Sequence, residues 1–196
     1  MKKLFLISAV IVAASFFNGC TTRKVERIST DQQVDLSGRW NDSDSKLCAD
    51  DLTQQVLGEK WIPIFEKDHE MKKPSVIIGI IKNKSHEHID AETFIKDMER
   101  AIIKNGSVRL IQAGDKREEL RRERADQQDF SSKETIKKWG KEMGADFMMQ
   151  GTINSIVDSY NNKQVVYYQI DLELTDIESN EIVWIGDKKI KKLIDN

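Results

Sequence analysis

Cys20 is the residue whose neighbours dictate its chemistry most directly. Lys2 and Lys3 make a positive start, Leu4 to Phe17 form an apolar stretch too short to cross a bilayer with margin, and Asn18-Gly19-Cys20 sets a small residue before a thiol. This is the pattern of a bacterial lipoprotein signal, in which the Cys20 thiol is alkylated by a diacylglyceryl group and the peptidase then cuts ahead of it. Cys20 becomes the lipid-bearing first residue, so the mature chain is anchored to a membrane rather than spanning it. Phe17 and Asn18 stand where such a box usually carries Leu and a small residue. The alternative reading is an ordinary secretory signal cut elsewhere, with Cys20 incidental.

The other reactive side chains are few. Of the three histidines, His86 and His88 alternate within KNKSHEHID and could share a strand face, with Glu87, Asp90 or His69 completing a metal shell. That segment is lysine-rich and lacks a spaced third ligand, so a solvated loop is expected and no metal. Cys48 recurs with Leu47, Leu52 and Val56 at helical spacing, which predicts a buried, inert thiol. With Cys20 lipidated it has no partner for an intramolecular disulfide. Nucleophile elbows, phosphate-cradling glycine loops and zinc spacings do not occur, so neither an enzyme nor a cofactor is expected. Close carboxylate pairs follow without catalysis from a sequence that is 33% charged. The chain has 31 basic and 33 acidic side chains, net −2, and loses Lys2 and Lys3 with residues 1–19, reaching −4. No basic excess marks it as a nucleic-acid binder.

Three segments follow: a signal peptide at 1–19, the lipidated Cys20 with a flexible tether to residue 36, and a globular domain over 37–196. The sixteen tether residues after Cys20 reach at most about 55 Å. Asn41, Asp42, Ser43 and Asp44 offer N-caps for a helix over Ser45 to Leu57, which Gly58 and Pro63 end. Glu66 to Lys73 reads as a loop. SVIIGII, after Pro74, reads as a strand buried on both faces. A helix runs from Asp90 with Phe94, Ile95, Met98, Ala101 and Ile102 on its apolar stripe, capped by Asn105-Gly106. Val108 to Gln112 is a short strand, Asp115 to Asp129 a mostly wet helix, and Ser131 or Ser132 to Met143 a further helix. Phe147 to Val157 is extended, Asn161-Asn162 turns, and Val166, Tyr168, Ile170, Leu172 and Leu174 alternate with polar residues. Ile182 to Ile185 returns as a last strand. The fold class is α+β: a mixed sheet with a C-terminal antiparallel meander, covered by helices, in one domain.

The run LSGRWNDSDS, residues 36–45, resembles the start of the domain in the LpoB family, lipoproteins that activate bifunctional penicillin-binding proteins, the synthases of peptidoglycan. Lys141-Glu142-Met143-Gly144-Ala145-Asp146 followed by Gly151-Thr152-Ile153 is similar to a signature that LpoB shares with CsgG and TolB N-terminal-like domains. The likeness covers residues 36 to 193. It implies a monomeric TolB N-terminal-like domain that acts by binding its synthase and shifting it toward its active arrangement. Arg39, Trp40, Asn41 and Asp42 are the candidate partner-binding residues, Trp and Arg being the types most enriched at hot spots. The competing reading places Trp40 as a lid on the core and pairs Arg39 with Asp42 or Asp44. Thr21 after the lipidated cysteine, rather than Asp, implies sorting to the periplasmic face of the outer membrane. A secretion or envelope-assembly lipoprotein related to CsgG is the rival function. On residue chemistry alone, Gly144 would end a helix in the left-handed conformation, Asp146 would bond nearby amides, and Gly151 would let two backbones approach.

Overall fold

The computed structural model describes residues 24–30, 32–130 and 143–195, the side chains of 127–130 excepted. Residues up to Gln32 and those from Gln33 onward form two separate units. In the first, the described residues are exposed and hold no helix or strand. Cys20, the signal peptide, and the helix expected over 131–142 fall outside the described residues. The second unit contains α1 (Asp42–Gly58), α2 (Trp61–Asp68), β1 (Ser75–Asn83), α3 (Glu92–Asn105) and β2 (Arg109–Ile111). After these come α4 (Gly114–Phe130), β3 (Phe147–Tyr160), β4 (Lys163–Asp176) and β5 (Ile182–Asp195). None of these helices is long and apolar enough to cross a membrane.

The five strands form one sheet in the order β2-β1-β3-β4-β5. β1 pairs in parallel with both β2 and β3, while β3, β4 and β5 make the antiparallel meander, so the sheet is mixed and the fold α+β. Alternation in β4 sends Val166, Tyr168, Ile170, Leu172 and Leu174 into the core, each at most 2% exposed. Phe94, Met98 and Ile102 from α3, together with Cys48, Leu52 and Val56 from α1, complete the same apolar cluster. On the opposite face of β4, Tyr167, Gln169 and Asp171 are half exposed and hydrogen-bonded in a row, with Asn154 of β3 joining at Asp171.

Four local readings are corrected by packing. Pro63 does not end α1; it lies in the first turn of the unanticipated α2, where a missing N–H leaves no helical bond unmade. Trp61 at the start of α2 donates its indole N–H to the Val56 carbonyl at 2.8 Å, which binds the two helices end to end. β1 is buried on both faces only over Ser75 to Ile78, since a register irregularity before Ile81 turns Ile80 outward, 68% exposed. Gly144 is not left-handed; its carbonyl accepts the Ser75 hydroxyl at 3.1 Å. β5 continues ten residues beyond Ile185, to Asp195. Its DKKIKKLID stretch hides a strand because lysines occupy both faces, as suits a sheet edge.

Asp146 and Gly151 set how β3 meets its neighbours. The Asp146 carboxylate accepts both the backbone N–H of Ser75 at 2.7 Å and its hydroxyl at 2.6 Å, tying the start of β3 to the start of β1. The bonded amide is thus 71 positions away, not nearby in sequence. A Cβ on Gly151 would collide with the Asp171 carbonyl and the Leu172 side chain, so glycine is required for β3 and β4 to approach. Gly151→Ala is therefore expected to destabilise the protein by about 2 kcal/mol. Gly58→Ala, where a Cβ meets nothing within 4 Å, should be neutral or stabilise by about 0.5 kcal/mol. Urea unfolding of the two variants side by side checks the contrast.

Candidate partner-binding cleft

The segment leading into α1 is fixed before α1 begins. Asn41 is the N-cap: its side-chain oxygen accepts the Asp44 N–H at 3.1 Å while the Asp44 carboxylate accepts the Asn41 N–H at 2.9 Å, a reciprocal capping box. Asp42 follows, exposed in the first turn, where its charge complements the positive end of the helix dipole. One step earlier, Gly38 has φ +68° and lies so close to Ile194 of β5 that any Cβ would collide with that side chain.

Lys192 of β5 gathers this segment. Its ammonium donates to Asp35 at 2.7 Å, to Asp44 at 2.7 Å and to the Arg39 carbonyl at 3.0 Å. The amine is largely buried, its side chain 11% exposed, and Asp44 beside it only 5%. Burial opposes the charge on Lys192, but the bonds to Asp35 and Asp44 outweigh it and raise its pKa. Lys192, with Gln33 and Asn41, in turn holds Asp35 down to about 2. Asp35, read from sequence as tether, is thus bonded into the folded unit.

A second cluster forms behind Trp40. The loop after β1 is closed by Asn83, whose amide donates to the Glu87 carbonyl at 2.8 Å and whose oxygen accepts from Ser85. This aims His86 and Glu87 at the sheet. Glu87 accepts the Tyr168 hydroxyl at 2.7 Å and the Trp40 backbone N–H at 3.1 Å, with His86 Nε2 at 3.2 Å. His86 Nδ1 lies 2.7 Å from the Ser155 hydroxyl on β3. Tyr168 is fully buried; burial and then its bond to Glu87 push its pKa far above the ordinary phenol range. Trp40, half-buried, stands edge-on to the Tyr168 ring with centroids 5.5 Å apart.

Between the two clusters opens a cleft of about 870 Å³, walled by Arg39, Trp40, His86, Glu87 and His88 over a floor that includes Val166 and Ile194. Of the four residues singled out in sequence, Arg39 and Trp40 line it. Asn41 serves the helix cap, and Asp42 faces solvent. Asp44 is taken by Lys192, and the Arg39 guanidinium has no hydrogen bond or ion pair among the described residues. His69 does not join His86 and His88: it stacks on Phe65 at the far end of α2, 3.9 Å between ring centroids. Among the described residues no group of three or more His, Cys, Asp or Glu is placed to hold a metal. Cys48 is fully buried, and burial followed by the Asp44 charge raises its thiol to about 12. Ser155 and Lys192 were not legible as site residues, and Glu87 was considered only as a metal ligand, not as the acceptor that ties Tyr168 and Trp40 together. Tyr168 left one clue, since a hydroxyl among inward-facing aliphatics needs a buried acceptor.

Lys192→Met leaves the buried Asp44 carboxylate without its cation and should destabilise the protein by roughly 3–5 kcal/mol; adding Asp44→Asn should recover much of that. For Asp35, whose pKa is depressed on folding, the stabilisation is present above the ordinary value of 3.8 and is lost as pH falls through about 2. Thermal melts should therefore show Asp35→Asn less stable than wild type at about pH 5, with the gap closing towards about pH 2.

Residues 44–190, from the first helix into the last strand, match the family described as peptidoglycan-synthase activator LpoB. Among solved structures, the chain is similar to the LpoB C-terminal domain from Escherichia coli, at 14% identity and TM-score 0.44, covering 76% of this chain and 99% of that one. The LpoB C-terminal domain from Salmonella enterica gives 13% identity and TM-score 0.43 over the same shares. Escherichia coli LpoB solved by NMR gives 12% and 0.41, with 90% of this chain and 87% of that one covered. No curated protein matches. With the family match running through nearly all of the folded unit, this chain belongs to the LpoB family of peptidoglycan-synthase activators.

Proposed function

We propose that the protein is an outer-membrane lipoprotein, anchored through Cys20, that binds a bifunctional penicillin-binding protein at its periplasmic domain and activates it. The family match over residues 44–190 carries this reading. Activation follows from differential affinity: a domain that docks better on the active arrangement of the synthase shifts the population towards it and contributes no catalytic group. The cleft supports docking at Arg39 and Trp40, because the guanidinium is exposed and the indole is held by the core behind it.

Two measurements test the proposal. Cys20→Ala should abolish metabolic labelling by fatty acid and leave a longer precursor; unchanged labelling would remove the anchor from the proposal. The full-length protein in detergent, added to bifunctional penicillin-binding proteins from its own cell, should bind one of them and raise its glycan-polymerising or cross-linking rate. Arg39→Ala should weaken that binding by roughly 2 kcal/mol with an unchanged melting temperature. Trp40→Ala should weaken binding and also lower the melting temperature, since the indole covers Tyr168. Absence of both binding and rate change with every such synthase defeats the assignment.

A further inference from the structure

The cleft between Trp40 and the His86-Glu87-His88 loop has a charge balance that selects a ligand. Glu87 is its one acidic wall, and that carboxylate is turned inward, engaged by Tyr168, His86 and the Trp40 N–H. Arg39 is its one permanently charged cation, exposed and without a partner among the described residues. The polar back wall is thus satisfied internally, while the rim presents an open guanidinium fork suited to a carboxylate. Trp40 and Ile194, both half-buried, supply apolar surface for a small group attached to that carboxylate. At about 870 Å³ the cleft has room for a short peptide end.

We propose that this cleft binds the free terminal carboxylate of a cell-wall stem peptide, with Arg39 holding the carboxylate and Trp40 and Ile194 taking the methyl side chains of the terminal alanines. The choice of a wall peptide rests on the reading that the protein acts on a peptidoglycan synthase, whose substrate and product carry such peptides. The same carboxylate chemistry at the end of a protein chain is the competing source. Binding here would let the activator respond to peptide ends in the wall around it.

The probe is N-acetyl-D-alanyl-D-alanine, compared with its C-terminal amide and with an L-alanyl-L-alanine counterpart. Binding is read on the mature full-length protein in detergent from NMR shifts of the Arg39 side-chain Nε–H and the Trp40 indole N–H. The acid should bind with a Kd on the order of 0.1–1 mM, and the amide at least about tenfold more weakly. Arg39→Gln should lose the acid's binding by a similar factor at an unchanged melting temperature, and Arg39→Lys should restore part of it. Equal binding of acid and amide, or no Arg39-dependent shift, overturns the inference. Tighter binding of the L-peptide assigns the cleft to a protein tail and also overturns it. Synthase binding is measured separately on the same variants. If Arg39→Gln weakens the synthase while the acid peptide never binds, the activator reading stands and the wall-peptide site falls.

Discussion

The ammonium of Lys192 is the interaction on which the candidate cleft depends. It is largely buried on an edge strand, and it satisfies in one place two carboxylates and a backbone carbonyl from the segment that enters α1. A buried lysine without such partners would be costly, and the two carboxylates converging without a cation would repel. Together they hold residues 35 to 44 against β5. Gly38 crosses Ile194 with no side chain between them, Arg39 is turned outward with its carbonyl bonded, and Trp40 is delivered to the core edge. The cleft exists because this strap is fastened at both its charge cluster and its glycine.

The opposite wall is held by a different logic. Glu87 draws Tyr168, Trp40 and His86 to one carboxylate, so a loop that is solvated on its outside is tied to the sheet from its inside. Because Glu87 and His86 are already paired, this part of the wall is organised in advance of any contact. An exposed, unpaired guanidinium next to an indole that is half-buried and braced is the combination that gives binding energy at low entropic cost. The strap stands on β5 and the Glu87 loop on β3 and β4, so a change in the meander reaches the cleft directly.

Surface charge elsewhere contributes little to the fold. The described side chains of α4 are mostly exposed and stitched by pairs such as Glu118 with Arg121, three apart. Pairs of this kind stabilise an exposed helix by a few tenths of a kcal/mol. The stability of the unit lies instead in the apolar cluster between α1, α3 and the sheet, and in the Asp146–Ser75 junction that sets the register of the parallel strands.

What the sequence by itself determined is what neighbours along the chain decide. The apolar stripe of α3, the cap at Asn41, the alternation of β4 and the turn at Asn161-Asn162 are local, and each stands where its pattern places it. The family likeness was legible too, and the match over residues 44–190 bears it out, although the LSGRWNDSDS run lies almost wholly ahead of that match and the reason for its glycine was not legible. Tertiary structure decided the rest, because the decisive partners are far apart in sequence. Lys192 is 157 residues from Asp35 and 148 from Asp44, and Glu87 is 81 from Tyr168. Nothing in the pattern KKIKKL tells an inward lysine from a solvated one. Only the strand pairing of β5 with β4, which alternates Lys192 inward and Lys191 outward, makes that choice. The same pairing joins Arg39 and Trp40 to a histidine loop that sequence had left in solvent, because side-chain chemistry is written locally while proximity is created by the sheet.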